Sequence, residues 1–163
     1  MDNHSALVAA MIRHEQNCPE RVHHFLAVHG FARAIGQLEG LDAATQLRLE
    51  TAAIVHDIGI RPSLERYGDA AGPHQEAEGP PVARPMLEQL GYEQSVVERV
   101  CFLISRHHTY TGVDGMDWQI LLEADFLVNA AAPSVSREAV RSFCDKVFIT
   151  GAGKQFLREL FWD

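Results

Sequence analysis

At 163 residues the chain is long enough to bury a core in one domain, taken as 1–163, and its formal charge of −8 leaves no basic face suited to a nucleic-acid duplex or an anionic membrane. Cys18, Cys101 and Cys144 lie far apart with no C-x-x-C, which argues against a disulfide framework and a thiolate zinc site and points to a reducing compartment. The short apolar run Ala6–Ile12 follows Asp2 with no Lys or Arg before it, and no stretch approaches the ~18 apolar residues of a membrane span. A cytoplasmic, soluble protein is expected. The unusual count is nine histidines, a side chain suited to metal ligation and to proton transfer near neutral pH.

In chain order the pattern is helical. Asn3 to Ser5 can cap a first helix running to about Gln16, with Leu7, Val8, Met11 and Ile12 at helical spacing. Pro19 opens a second, Glu20 to about Gly40, whose apolar face is Phe25, Val28, Phe31, Ala32 and Ile35. Asp42 caps a third, Ala43 to Ile58, amphipathic at first and apolar all round from Ala52 to Val55. From Gly59 to Gly79 the period fails among Pro62, Gly68, Gly72 and Pro73, so this stretch is expected to be a functional loop of about twenty residues. Pro80 and Pro81 are then expected to open a helix that stops at Gly91. Further helices are expected over Ser95–His108, Trp118–Ala131, Ser136–Ile149 and Lys154–Trp162. No segment alternates as a strand would, so the fold class is all-α.

Against this background some polar residues are misplaced. His56 and Asp57 close an apolar helix, where a charge is costly unless it is paired, hydrogen-bonded or holding a metal. A plainer reading stays open, in which the pair caps the helix and Asp57 meets an arginine. His24 lies one turn before Val28 on the inward face of the second helix. Asp125 sits in Leu121-Leu-Glu-Ala-Asp-Phe-Leu-Val128 with Leu121 and Val128 as its helical neighbours. One buried histidine is ordinarily satisfied by a backbone carbonyl. Four nitrogen and oxygen donors on three helices can instead converge on one cation.

His24, His56-Asp57 and Asp125 follow the H…HD…D order of the HD-domain metal-dependent phosphohydrolases, and the surrounding residues resemble that family over about 20–130. Arg21-Val-His-His-Phe-Leu-Ala-Val28 is similar to its first-ligand helix, Ala52-Ala-Ile-Val-His-Asp-Ile-Gly59 to its central motif and Glu123-Ala-Asp125 to its last. The resemblance implies a helical bundle of about 6–8 helices, with the C-terminal helices over 134–162 packed on the motif-bearing core. It selects His24 over His23, which points about 100° round the helix. Dinuclear relatives add two histidines between the HD pair and the last Asp. His108, followed by Thr109 and seventeen residues before Asp125, resembles the second of these. The first should stand four residues before Gly79, where the chain has Gln75, with His74 one position off and Glu76 and Glu78 as alternative oxygen ligands. Many relatives also have Gly-Lys after the pair, where this chain has Gly59-Ile60-Arg61.

By this resemblance His24, His56, Asp57 and Asp125 hold one divalent metal (Fe, Mn, Zn, Co, Ni or Mg), and the site takes one ion or two; with two, Asp57 bridges to a second held by His108, with His74 the candidate further ligand. Such ions acidify a water and neutralise a phosphoryl group. Asp57, His107 and Glu76 are the expected catalytic and proton-transfer residues, and Arg61 and Arg106 the expected phosphate-binding ones. The function implied is hydrolysis of a phosphate ester or anhydride of a small nucleotide or phosphorylated metabolite. The alternative is a catalytically silent nucleotide- or metal-binding regulatory module. Gly151-Ala-Gly-Lys154 lacks the earlier glycine and the Ser or Thr of a phosphate-binding loop, and reads as a helix-breaking turn. The apolar cluster of Phe156, Leu157, Leu160, Phe161 and Trp162 is expected to pack on the domain, with a homodimer contact as the alternative.

Overall fold

The computed structural model describes residues 3–162; Met1, Asp2 and Asp163, the ends of the expected 1–163 domain, lie outside the described residues. Among the described residues there are nine helices and no strands, which makes the fold all-α. They are α1 (His4–His14), α2 (Pro19–Leu38), α3 (Ala43–Val55), α4 (Ile60–Tyr67), α5 (Gly72–Gln89), α6 (Gln94–Ile104), α7 (Met116–Asn129), α8 (Arg137–Val147) and α9 (Gly151–Phe161). No helix is long and apolar enough to cross a membrane.

Helix α3 is the axis of the molecule, packing on α1, α2, α6 and α7. Its sequence explains the placement. Asp42 caps it by accepting from the Ala44 and Thr45 amides at 3.0 Å, and every residue from Leu49 to Val55 is buried. Helix α7 is nearly as enclosed, with Asp117 to Asp125 all buried. Helix α2 turns Phe25, Val28, Ala32 and Ile35 into the core that α3 and α7 complete. The three helices carrying the misplaced polar residues are thus mutual neighbours.

The expected loop over 59–79 is instead helical. Pro62 falls in the first turn of α4, where its missing amide has no partner to lose, and Gly68 ends that helix with φ at +76°. Helix α5 then starts at Gly72 and runs through Pro85 and through Pro80 and Pro81, the pair expected to begin a helix. Gln75, Gly79, Ala83 and Leu87 form its buried stripe, four residues apart, whereas Pro81 and Pro85 are exposed. Water can meet carbonyls freed on that outer side, so the inward stripe holds the helix together despite the lost bonds. The α4 segment is the element added to the expected six to eight.

Among the other ends that move, two carry candidate site residues. Helix α3 stops at Val55 and α6 at Ile104, each followed by a tight turn: Ile58 N–H donates to Val55 at 3.1 Å and Arg106 N–H to Leu103 at 3.1 Å. His56-Asp57 and His107-His108 occupy these turns. Gly59 closes the first of them against α5. A Cβ there would stand 2.4 Å from the Gln75 carbonyl oxygen and 2.7 Å from the Gly79 nitrogen, so only glycine permits the approach.

Near the C-terminus, Thr150 caps α9 and its Oγ1 accepts from the Gly153 amide at 2.9 Å; the Ala152 amide donates to Glu39 at 2.7 Å. The Gly151–Lys154 stretch is thus a helix start whose amides meet protein acceptors. Leu157 is buried, the Phe156 ring lies 6.3 Å from that of Phe31, and Leu160 remains exposed.

Candidate metal centre

His24 on α2, His56 and Asp57 in the turn after α3, and Asp125 on α7 converge. His24 Nε2 lies 3.1 Å from His56 Nε2, 3.3 Å from Asp57 Oδ2 and 3.0 Å from Asp125 Oδ1. His56 Nε2 is 3.4 Å from Asp57 Oδ2 and 3.3 Å from Asp125 Oδ1. These are the separations of neighbouring donors around a cation about 2.1 Å from each.

The proton count supports a cation. His56 Nδ1 donates to the Ala53 carbonyl at 2.9 Å, so Nε2 of the neutral ring presents a lone pair to the other donors. His24 Nε2 has at most one proton for three neighbours. Asp125 Oδ1, buried, has no hydrogen-bond partner. Without a metal the site compensates by holding protons. Burial works against a charge on His24, but the Asp125 and Asp57 carboxylates outweigh it and push the ring up to about 8. Burial likewise disfavours charge on His56, and the same carboxylates hold it well above its ordinary value. Asp57 and Asp125 are held below theirs against burial, the former chiefly by His56 and the latter by His24. A divalent cation would replace those protons. The residues present fit such a cation.

Asp57 faces two ways. Its Oδ2 belongs to the first cage, and its Oδ1 is 2.9 Å from Nε2 of the buried His107. His107 repeats the His56 arrangement, with Nδ1 donating to the Ile104 carbonyl three residues back at 2.7 Å. Asp57, His107 and His108 form a second group of donors sharing the Asp57 carboxylate. Burial, then the neighbouring His107, pushes His108 below its ordinary value, which favours the neutral ligand form.

The other expected site residues separate. His108 Nε2 is 3.0 Å from Gln75 Oε1, and Gln75 is buried with its amide nitrogen donating to Ala70 at 2.6 Å. Gln75, a residue without obvious chemistry, therefore holds the position expected of a ligand. His74 points elsewhere, 2.6 Å from Asp69 and stacked 3.9 Å from Tyr67. The structure groups it with neither set of donors, and the helical register of α5 is the reason, since it turns 74 outward when 75 points in. Glu76 accepts from the His108 amide at 3.0 Å and from Thr109 Oγ1 at 3.1 Å, so it fixes the turn carrying the histidines. Glu78 pairs with Arg66 at 3.0 Å. Arg61 donates to the carbonyls of His14 and Gln16 and thereby closes the end of α1. Arg106 is exposed and lies over the Phe102 ring, 4.9 Å from its centroid. His23 is exposed, as its place on the helix requires, and Arg21 pairs at 2.7 Å with the buried Glu15.

Comparison with known proteins agrees with this geometry. The family model described as HD domain matches residues 21–139. A solved structure from an uncultured Thermotogales bacterium, titled a predicted HD superfamily hydrolase, superposes with a TM-score of 0.69 at 23% identity, covering 96% of this chain and 84% of that one. No curated protein matches the sequence. With the matched segment spanning His24, His56-Asp57 and Asp125, the chain belongs to the HD domain family.

Proposed function

We propose that the protein is a metal-dependent phosphohydrolase that cleaves a phosphate ester or anhydride of a small phosphorylated metabolite, a nucleotide being the first class to test. The observation that carries this reading is the divided carboxylate of Asp57, with one oxygen in the His24–His56–Asp125 cage and the other 2.9 Å from His107. A bound divalent ion would supply an acidified water and charge neutralisation on the phosphoryl oxygens. The chain does the rest. His24, His56, Asp57 and Asp125 would hold the ion. The carbonyls of Ala53 and Ile104 fix the rings of His56 and His107 with Nε2 toward the site. His107 Nε2 can hold a proton beside Asp57 Oδ1, where one released by the attacking water would arrive; unprotonated, the same nitrogen, Asp57 and His108 would hold a second ion. Glu76 acts as a positioning residue through the His108 amide. The acidic balance of the chain suits a small substrate rather than a duplex.

A silent nucleotide- or metal-binding module is the second reading, favoured by the neutral Gln75 where a ligand was expected. A phosphate-release screen over nucleotides and sugar phosphates, using protein loaded in turn with Mn, Fe, Co, Ni, Zn and Mg, separates the two. Release that disappears in folded His56→Ala and Asp125→Ala variants supports the hydrolase, and release unchanged in both rejects it.

A further inference from the structure

A second convergence of donors lies away from the HD residues. His4 opens α1, His29 lies on α2 and the buried Glu50 on α3, and one donor atom of each is within 4.8 Å of the other two. His29 Nε2 stands 3.1 Å from Glu50 Oε2, and His4 Nδ1 is 3.5 Å from the same oxygen. Thr51, whose hydroxyl donates to the Leu47 carbonyl at 2.7 Å, lies 3.2 Å from His4 Nε2. The other carboxylate oxygen, Oε1, already accepts from Gln46 Nε2 at 2.6 Å. Two imidazoles thus converge on one oxygen of a buried carboxylate, an arrangement that a cation among the three would satisfy.

We propose that His4, His29 and Glu50 form a separate binding site for a first-row transition dication, with zinc the best match. Two imidazoles and one carboxylate are a zinc-type donor set that leaves room for water. The site shares no ligand with the HD cage. Along α2, His29 comes five residues after His24, and along α3, Glu50 precedes His56 by six, so about 7–9 Å of helix separates the two sites. His4 and all of α1 lie outside the segment that matches the family model, so this site ties a helix beyond that segment onto the two helices that present His24 and His56-Asp57.

The test counts zinc by elemental analysis after equilibration with buffered zinc and removal of free metal. The wild type should hold one more zinc ion than folded His29→Gln. A His56→Ala/Asp57→Ala/Asp125→Ala variant, which lacks the HD cage and the carboxylate it shares with His107 and His108, should still bind one zinc and melt at a higher temperature with it. Adding His29→Gln to that background should abolish both the ion and the shift. Because the cage is absent there, failure of the hydrolase reading leaves this result unaffected. Should His29→Gln not fold, Glu50→Gln or His4→Gln makes the same subtraction, and the visible absorption of bound cobalt gives an independent count in the cage-free background. Equal zinc in wild type and in the folded ligand variant, or uptake by the cage-free protein that is indifferent to these ligands, overturns the proposal.

Discussion

His24 sets the pH behaviour of the metal-free cage. Its ring is raised to about 8 by the Asp125 and Asp57 carboxylates acting against burial. A raised histidine stabilises the fold fully below its unfolded value, near 6.5, and the contribution is lost as pH climbs through about 8. His56, raised by the same carboxylates against burial, adds to that loss. The metal-free protein is therefore expected to melt at a lower temperature at about pH 8.5 than at about pH 6.5, while metal affinity rises over the same interval because fewer protons compete. Calorimetric titration in buffers of different ionisation enthalpy checks this through the protons released on binding. A melting temperature that is flat or rises across the window contradicts it. The four cage residues were readable from sequence because each breaks an apolar helical stripe with a group that is costly to bury. Gln75 raised no such alarm. Histidine 74 looked the better ligand by residue type, and only the register of α5 shows that 75 is the residue turned inward.

At the scale of elements, the unexpected pair α4 and α5 shapes the second group of donors. Prolines and glycines interrupt the helical period there, yet one proline falls in a first turn and others lie on a solvent face, where they cost little. The crossing of Gly59 over Gln75 and Gly79 could not be read from the chain, since it depends on how two backbones meet. Gly59→Ala is expected to force them apart and cost roughly 1–3 kcal/mol, measured by denaturant unfolding, and to loosen Gln75 from His108. A second expectation concerns ligand supply. Gln75→His would place an imidazole opposite His108 and should raise the affinity for a second ion, seen as an additional equivalent in metal titration. No gain in a folded variant would count against Asp57, His107 and His108 acting as a second site.

Across the whole molecule, Glu123 couples the HD helices to the C-terminal pair. Fully buried on α7, it accepts from Gln119 at 2.8 Å, from the Ile149 and Thr150 amides at 2.8 and 3.1 Å, and from the Thr150 hydroxyl. A single carboxylate thus anchors the turn between α8 and α9 two residues from Asp125. Glu123→Ala should destabilise the protein by about 3 kcal/mol in denaturant unfolding, because several buried donors lose their acceptor. The helical class and the packing of Leu157 followed from the apolar spacing, whereas this anchor did not, since Glu123 reads in the sequence as part of the last HD motif.

His24, His56, Asp57 and Asp125 are expected to gather one cation. The direct measurement is the metal content of protein purified without chelator and then equilibrated with a first-row dication, compared with His56→Ala and Asp125→Ala variants shown by circular dichroism to be folded. The wild type should retain at least one ion that both variants lose. Equal metal content in all three, or none in the wild type, would contradict that expectation.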